Sequence, residues 1–321
     1  MTNAAPPRDA VPPEDESPVV CPAKKYIFDL RSYVWKEIDT LIRIPHPAKG
    51  IGHGGMRVCY EVDDLDEEGA GMPMVAKMFR RNISDVVEKD YFNEGEAQCM
   101  CEEFATNFNR IHLDSMHKPN ISFLQCYVVR IPRKNIPEEY QNKRTGFFSY
   151  KTQDTREVMF VMEPMLRGTF TKYNSNYGET YREDKKAALT STQAKRRTEI
   201  FETAEAFSHF SLVESGGSML LCDLQGVNDF LTDPQIHTED GKGLGMGNMG
   251  QEGIDKWVEK HVCNDMCRAL GLQPLQGDVR AQLQSQKPVT PSQLVPLTKP
   301  LAEMSEAERV EYAMKVSQLN Y

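Results

Sequence analysis

The order of the apolar segments limits the fold of this chain more than any other feature of its sequence. Short runs rich in β-branched and aromatic residues predict strands at 57–62, 73–79, 121–131 and 157–162. Near-helical spacing of apolar residues predicts long helices at 85–111 and 190–212. A short strand at 218–224, a polar loop to Gly253 and a helix ending at Leu270 are predicted to follow. Strands with one helix therefore precede helices around one strand, which predicts an α+β fold with two lobes.

The two ends of the chain differ in composition from its middle. Residues 1–22 are acidic and rich in proline, and are expected to be disordered. Residues 23–44 are expected to form a helical lead-in to a folded domain at 45–272. Glutamine, proline and serine are frequent at 273–300, which is expected to be a linker. A capping-box pattern predicts a last helix within 301–321.

Composition and charge exclude several classes of protein. Apolar residues make up 40% of the chain, enough to bury a core. The net charge of −9, from 38 Lys and Arg against 47 Asp and Glu, repels phosphate backbones and argues against nucleic-acid binding. No apolar run approaches the roughly 18 residues of a membrane helix, and the N-terminus does not resemble a signal peptide. With cysteines scattered inside apolar runs, these features predict a cytoplasmic protein with reduced thiols and no membrane association.

Glycines and one lysine mark a candidate phosphate site in the first half of the chain. The cluster GIGHGGMR at 50–57 leads into a strand, and its glycines let backbone N–H groups approach an anion. A flexible turn explains the same glycines. Lys77 lies in an apolar strand, where an amine needs a partner, and Glu96 on the next helix can supply a carboxylate. Such a pair can hold phosphates, whereas a lysine that reaches water from an edge strand is the alternative.

Polar residues also follow two later strands. The backbone of Glu163–Leu166 leaves a buried strand, where it can bind an adenine edge or form an ordinary strand exit. Asp223 and Gln225 alternate on one predicted strand and therefore point the same way. The intervening turn can bring Asp233 close to Asp223 and Gln225. The carboxylate and amide oxygens of these residues suit Mg²⁺ with bound phosphates. Aspartates that cap turns are the alternative interpretation.

A group of histidine and cysteine residues has the spacing of a metal site. In His261-x-Cys263-x3-Cys267 the two cysteines stand four positions apart, so they are predicted to share one helix face. Two thiolates and two imidazoles form a tetrahedral zinc site, and a site with four protein ligands is structural. Two buried cysteines beside a surface histidine are the alternative, and the spacing does not select the fourth ligand.

Two further motifs lack the context that their functions require. Gly245-x-Gly247-x-x-Gly250 matches a dinucleotide fingerprint but follows a polar loop instead of a strand, which disfavours a nicotinamide oxidoreductase. The triplet His112-Leu113-Asp114 resembles the catalytic loop of ordinary protein kinases, but Pro119 stands where that motif requires asparagine.

Seven blocks of the sequence resemble the atypical alpha-kinases and follow the order of that family. The blocks are GGMR at 54–57, VAKMF at 75–79, GTFTKYNSNYG at 168–178, AFSHF at 206–210, CDLQGVNDFLTDPQIHT at 222–238, GMGNMG at 245–250 and HVCNDMC at 261–267. The blocks at 222–238 and 261–267 are the most specific. The resemblance implies a two-lobed protein-kinase-like fold, with an N-lobe at about 45–162 and a zinc-braced C-lobe at about 167–272.

The resemblance also implies roles for individual residues. Asp223 matches the catalytic aspartate, which acts together with Lys77 and Asp233. Matches to nucleotide-binding positions fall on Gly54, Gly55, Met56, Arg57, Lys77, Glu96, Glu163 and Leu166, and to magnesium positions on Gln225 and Asp233. Matches to the structural zinc ligands fall on His209, His261, Cys263 and Cys267, and to the substrate loop on Gly247, Asn248 and Gly250.

Together these matches imply a protein serine/threonine kinase that uses ATP and Mg²⁺, carries structural Zn²⁺ and phosphorylates a protein substrate. A pseudokinase that binds nucleotide and zinc as a scaffold ranks second, because every position that the family requires for catalysis is filled. The sequence does not reveal the physiological substrate, the activator or the oligomeric state.

Overall fold

The structure is a computed structural model that describes residues 17–65, 69–80, 82–141, 146–149, 156–181, 190–275, 279 and 282–283. Its strands are β1 (Val19–Asp29), β2 (Val34–Ile44), β3 (Gly50–His53), β4 (Arg57–Leu65), β5 (Gly71–Phe79), β6 (Ser122–Phe123), β7 (Tyr127–Pro132), β8 (Glu157–Pro164), β9 (Thr171–Lys172), β10 (Met219–Cys222), β11 (Gln225–Val227), β12 (Phe230–Thr232) and β13 (Gln235–Thr238). Its helices are α1 (Glu88–Asn109), α2 (Glu138–Gln141), α3 (Ser191–Glu214), α4 (Gly250–Lys260) and α5 (Asp265–Ala269).

The larger sheet closes on itself. Its strands run antiparallel in the order β2-β1-β7-β8-β5-β4-β3. A further pairing of β2 with β4, with Leu41 opposite Leu65, joins six of these strands into a ring and leaves β3 outside it. Side chains alternate across the ring, and Ala76 and Met78 of β5 belong to its apolar interior. Lys77, between them, therefore points out of the ring.

Helix α1 packs against both halves of the described chain. Tyr91, in its first half, contacts Phe79 of β5 edge to face, with ring centroids 4.9 Å apart. Phe108, at its other end, contacts Phe207 and Phe210 of α3 at 5.4 and 5.3 Å. Burial of such a ring stabilises the fold by roughly 1.5–3 kcal/mol. The middle of α1 is therefore held firmly between the closed sheet and the helical half.

Two small sheets complete the described fold, and β10 of the first packs against α3 while β6 of the second packs against α1. Strand β10 pairs with β13, and β6, β12, β11 and β9 form a four-stranded sheet. In the latter, Gln225 stands opposite both Lys172 and Thr232. Among the described residues, none of the helices has the length and apolar character that a membrane span requires. The short strands bring polar residues from distant parts of the chain to one row.

The α+β pattern of the sequence is confirmed for most elements. The predicted strands at 57–62, 73–79, 157–162 and 218–224 correspond to β4, β5, β8 and β10, and the two long predicted helices to α1 and α3. The predicted strand at 121–131 is two strands, β6 and β7, in different sheets. The loop predicted after residue 224 contains β11, β12 and β13, whose three or four residues are too short to show a period.

The predicted helical lead-in at 23–44 is wrong, because this segment is a β-hairpin. Strands β1 and β2 pair along their whole length, from Val19 opposite Ile44 to Asp29 opposite Val34. Charged residues of the segment pair across the hairpin, as in Lys24 with Asp39 at 2.7 Å. Strand β1 also includes 19–22, the end of the segment expected to be disordered. Residues 1–16, the helix expected within 301–321 and most of 273–300 lie outside the described residues.

Replacing Gly226 of β11 by alanine is expected to destabilise the protein by about 2–4 kcal/mol. Gly226 has a φ of +159°, and a Cβ there would overlap the carbonyl oxygen of Phe230 and lie 2.9 Å from Leu231 Cα. Both obstacles are backbone atoms, so no side chain can move aside. Urea unfolding measures the change. The matched control is Gly52→Ala, which meets nothing within 4 Å and should change the free energy of unfolding by less than about 1 kcal/mol; equal effects of the two would contradict this account.

Candidate active site and metal centre

Lys77 lies in a buried network that joins the two halves of the described chain. Its Nζ is 2.7 Å from Oε1 of Glu163 on β8, and donates to Oγ1 of Thr232 on β12 at 2.6 Å. Asp233 Oδ1 lies 3.6 Å from the same amine. Burial by itself would lower the pKa of Lys77, but Asp233 and Glu163 outweigh it and raise this pKa. The amine is therefore charged and available to interact with anionic groups.

The expected pairing of Lys77 with Glu96 is wrong, because Glu163 holds that place. Glu96 accepts a hydrogen bond from Nε1 of Trp35 at 3.3 Å. The α1 residue that reaches the network is Gln98, two positions further on. Its Nε2 donates to Glu163 Oε2 at 3.1 Å, and its Oε1 accepts from the backbone N–H of Asp233 at 3.2 Å. An amide can serve both partners because it carries a donor and an acceptor.

The side chain of Arg57 forms ion pairs with carboxylates and does not belong to the exposed glycine turn. It is buried, lies 2.7 Å from Glu94 on α1, and also pairs with Asp233. Burial by itself would raise the pKa of Asp233, but Arg57 and Lys77 outweigh it and lower this pKa. Gly54 and Gly55 are exposed in the turn between β3 and β4. Arg57 therefore differs from the neighbouring glycines, with which the sequence grouped it.

Asp223 sits in the turn between β10 and β11. Its Oδ1 is 2.6 Å from Nζ of Lys172, and its Oδ2 accepts from Nε2 of Gln225 at 3.0 Å. Burial raises the pKa of Asp223, and the hydrogen bond from Lys172 acts in the opposite direction. Asp223 and Asp233 both have left-handed backbone, with φ of 57° and 60°. Such strain in residues other than glycine is typical of functional sites.

The proximity of Asp223 and Gln225 was predicted, but for the wrong reason. Strand β10 ends at Cys222 and β11 begins at Gln225, so the two residues do not alternate on one strand. The left-handed turn at Asp223 brings its carboxylate back to the amide. The network therefore holds Asp223, Gln225 and Asp233 together, since Gln225 Nε2 also lies 3.4 Å from the carbonyl oxygen of Asp233.

One face of the four-stranded sheet combines a polar row with an apolar row. Lys172, Gln225 and Thr232 stand opposite one another. Val227 and Phe230 pair two residues further along, so they point to the same face about 7 Å away. Val227 is buried, whereas Phe230 is 52% exposed. An exposed aromatic ring beside a polar centre is suited to contact a flat, apolar part of a ligand.

The glycine loop at 245–250 is held in place by Asn248 and His237. Asn248 Oδ1 accepts from the backbone N–H groups of Thr238 and Gly250, both at 3.0 Å. The buried His237 accepts from the backbone N–H of Met249 at 3.0 Å and donates from Nε2 to the carbonyl oxygen of Asn176 at 2.8 Å. The predicted loop residues therefore include one, Asn248, whose side chain shapes the loop.

The four predicted zinc ligands lie together. Their candidate ligand atoms are all within 4.8 Å of one another in the group His209, His261, Cys263 and Cys267. His209 Nδ1 is 3.2 Å from His261 Nε2 and 3.6 Å from Cys263 Sγ, and Cys267 Sγ is 3.8 Å from His261 Nε2. Tetrahedral bonds to Zn²⁺ would place two nitrogens about 3.3 Å apart, and nitrogen and sulfur about 3.6 Å apart. The residues present therefore fit a zinc ion.

The surroundings of this group agree with metal ligation. His209 is fully buried, and burial with the nearby His261 lowers its pKa to about 3, so its imidazole is neutral as a ligand must be. Glu205 Oε2 lies 3.8 Å from the other ring nitrogen of His261, where it can orient that ring. Cys263 and Cys267 do not share one helix, because Cys263 precedes α5, whose first turn is capped by the Asn264 side chain.

Four functional candidates were missed by sequence reasoning. They are Lys172, Thr232, Gln98 and His237. Three of them lie inside quoted blocks, where each could have been singled out: Lys172 in GTFTKYNSNYG, and Thr232 and His237 in the block at 222–238. Gln98 carries no sequence signal, because a single glutamine on an apolar helix is common. Of the expected adenine contacts, Glu163 is buried in the lysine network and Leu166 is half-buried after β8.

Comparisons with known proteins give a consistent result. The model of the alpha-kinase family matches residues 52–267. Alpha-protein kinase 1 of Dictyostelium discoideum is 33% identical over 77% of this chain, and myosin heavy chain kinase A of the same organism is 32% identical over 69%. Eukaryotic elongation factor 2 kinase of Mus musculus is 30% identical over 77%. The chain spans 15%, 17% and 29% of the length of these three relatives.

Solved structures agree with these relatives in fold. The alpha-kinase domain of myosin heavy chain kinase A in complex with AMP superposes with a TM-score of 0.62, at 26% identity, over 79% of this chain and 100% of that domain. The ADP complex of the same domain gives 0.61 at 26% identity, over 80% and 98% of the two chains. The chain thus has the kinase-like α+β fold of these domains.

Proposed function

The chain belongs to the alpha-kinase family, and from this premise we propose that it is a protein kinase that transfers the γ-phosphoryl group of ATP to a serine or threonine of a protein substrate. The observation that carries the proposal is the network around Lys77, in which a buried amine, two carboxylates and an amide converge. Phosphoryl transfer depends mainly on positioning and on charge neutralisation, which these groups can supply.

Each residue of the network has a place in this proposal. Lys77 contacts the phosphates, with Glu163 and Gln98 holding its amine in position. Gln225 and Asp233 would hold Mg²⁺, because carbonyl and carboxylate oxygens are the ligand type that this ion prefers. Bound Mg²⁺ would neutralise charge on the triphosphate. Asp223 orients the acceptor hydroxyl and accepts its proton, with Lys172 keeping the carboxylate ionised.

The proposal also assigns residues to the adenine ring, to the phosphates and to the protein substrate. Backbone groups of Glu163 and Leu166 bind the adenine edge, while Val227 and Phe230 offer the apolar face beneath it. Backbone N–H groups at Gly55 and Met56 approach the phosphates, while the N–H of Gly54 donates to the carbonyl oxygen of Arg57 and shapes the turn. The loop with Gly247, Asn248 and Gly250 contacts the protein substrate, and His237 supports it. The lobe boundary falls between 162 and 167, where β8 ends.

Structural zinc is part of the proposal. His209 on α3 and Cys267 on α5 belong to different helices, so one ion would join these helices and the segment that holds His261 and Cys263. With four protein ligands no position remains open for a substrate, which is typical of a structural site.

A transfer assay tests the proposed function. Purified protein with radiolabelled ATP, Mg²⁺ and candidate protein substrates should label serine or threonine, and acid hydrolysis of the product identifies the residue type. Lys77→Met should abolish labelling, whereas Lys89→Met, at an exposed lysine of α1, should not. If the wild type binds ATP but labels no protein under any condition, the scaffold alternative replaces this proposal.

Replacing Lys172 by methionine is expected to move the acidic limb of kcat to higher pH. Asp223 must be ionised to accept a proton, so activity falls as the pH drops through its pKa. Burial raises that pKa above the ordinary 3.8, and Lys172 opposes the rise. Without Lys172, burial and the charge of Asp233 raise this pKa against only the hydrogen bond from Gln225, so the pKa rises further. A pH profile of kcat measures the limb, Lys172→Arg should preserve it, and a limb that moves to lower pH would contradict the role of Asp223.

A further inference from the structure

Two cysteines outside the zinc group lie side by side where α1 meets the larger sheet. Cys126, just before β7, is 1% exposed, and its Sγ is 3.6 Å from the carbonyl oxygen of Gly95 on α1. Cys99 lies one helical turn after Gly95, on the same helix face. Cys126 belongs to a buried apolar cluster, and Cys99 packs against the same cluster. Two thiols are thus held together without a metal partner.

The two thiols differ in their access to solvent. Cys99 is half-buried, whereas Cys126 is inaccessible. The Cys99 side chain and burial both raise the pKa of Cys126, so Cys126 is the less reactive of the two thiols toward a free oxidant. A small oxidant therefore reaches Cys99 first, and Cys126 is the neighbouring thiol that can resolve the product.

We propose that Cys99 and Cys126 form a thiol-modification site that hydroperoxides such as hydrogen peroxide convert to a disulfide. The Cys99 sulfur attacks the peroxide, breaks its O–O bond, becomes a sulfenic acid and releases water. The Cys126 sulfur then displaces that hydroxyl, forms the S–S bond and releases a second water. Two electrons pass from the thiols to one peroxide, and the two thiol protons leave in the two waters. A dithiol such as dithiothreitol reverses the reaction.

The position of this pair connects it to the network around Lys77. Gln98 precedes Cys99, and its Nε2 donates to the carbonyl oxygen of Leu124, two residues before Cys126, at 2.7 Å. The same amide contacts Glu163 and the backbone of Asp233. The two sulfurs must come to about 2.05 Å from each other to form a covalent bond, which displaces Gln98 from one or more of these partners. Oxidation should therefore lower phosphate transfer, an effect that rests on the proposed function.

Peptide mapping tests the site without reference to activity. The intact chain is treated with hydrogen peroxide, its free thiols are alkylated, and it is digested with trypsin, which cleaves after Lys89, Arg110 and Arg130. Peptides 90–110 and 111–130 should be recovered as one linked species that is about 2 Da lighter than their sum. Cys99→Ser and Cys126→Ser should each abolish the link. Cys101→Ala, which removes the other thiol of the first peptide, should retain it.

Activity gives the second readout. Peroxide should lower transfer by the wild type at least about tenfold, as expected when hydrogen bonds to charged groups are lost, and dithiothreitol should restore it. Cys99→Ser should resist this reversible loss, which separates it from oxidation of the zinc-group thiols. Absence of the linked peptide while Cys99 remains alkylatable overturns the site. A link that forms in a protein without any transfer activity supports the site and overturns the proposed function instead.

Discussion

Replacing Asp223 by asparagine is expected to lower kcat by about 10²–10⁴-fold while the KM for ATP stays within about twofold. Asparagine keeps the shape of the side chain but cannot accept the proton of the substrate hydroxyl. Asp223 contacts Lys172 and Gln225, whereas the phosphates are expected at Lys77 and Asp233, so nucleotide binding should survive. Steady-state kinetics with radiolabelled ATP and direct nucleotide titration measure the two quantities separately.

Asp229 provides a matched control for this substitution. It lies in the same sequence block, is partly exposed, and its nearest ion pair is with Arg196 at 3.7 Å, away from the Lys77 network. Asp229→Asn should change kcat by less than about twofold. Wild-type kcat in Asp223→Asn, or a loss that appears only as weaker ATP binding, would refute the assignment of Asp223 as the group that accepts the proton.

Replacing Cys267 by serine is expected to release the metal and to unfold much of the helical half. Apparent binding free energies of structural zinc are about 10–16 kcal/mol, comparable to the whole stability of a domain. Cys267 is fully buried, so loss of the ion also leaves His209, His261 and Cys263 around a polar cavity. Elemental analysis should find about one zinc per wild-type chain and none in the variant, and a thermal melt should report the loss of folded protein.

Cys59→Ser is the control for zinc content, because Cys59 lies on β4, outside the metal group. It should retain about one zinc per chain. Chelation of the wild type should reproduce the effect of Cys267→Ser, and added zinc should reverse it. A metal-free wild type with an unchanged melting temperature would disprove the structural role of the ion.

Local patterns of the sequence predicted much of the secondary structure. The helical spacing of Phe104 and Phe108 and the apolar run around Lys77 are properties of short segments, and they correctly predicted α1 and β5. Where local patterns were ambiguous the predictions failed. The charged and aromatic residues at 23–44 suit either a helix surface or a hairpin, and only pairing of β1 with β2 and β7 selects the strand.

For the candidate site, too, the sequence predicted one part correctly and another part wrongly. That Lys77 needs a carboxylate follows from its apolar strand, but Glu96 and Glu163 are both acidic residues near apolar segments. The choice of Glu163 depends on the register of β5 against β8, where Val75 stands opposite Glu163. No local pattern encodes that register, so sequence reasoning selected the wrong partner. The role of Gln98 likewise depends on how α1 lies against β8 and β12.

The sequence by itself determined the positions of β4, β5, β8, β10, α1 and α3, the family, and the residue types that the site requires. The tertiary structure decided which of them meet: Lys77 contacts Thr232 across 155 positions, and α3 brings His209 to the three ligands that follow α4. The physical reason is that burial periodicity acts over a few residues, whereas a contact between distant residues depends on sheet closure and helix packing throughout the fold. The residue types of the site can be read from short segments, whereas the arrangement of those residues in space depends on the whole fold.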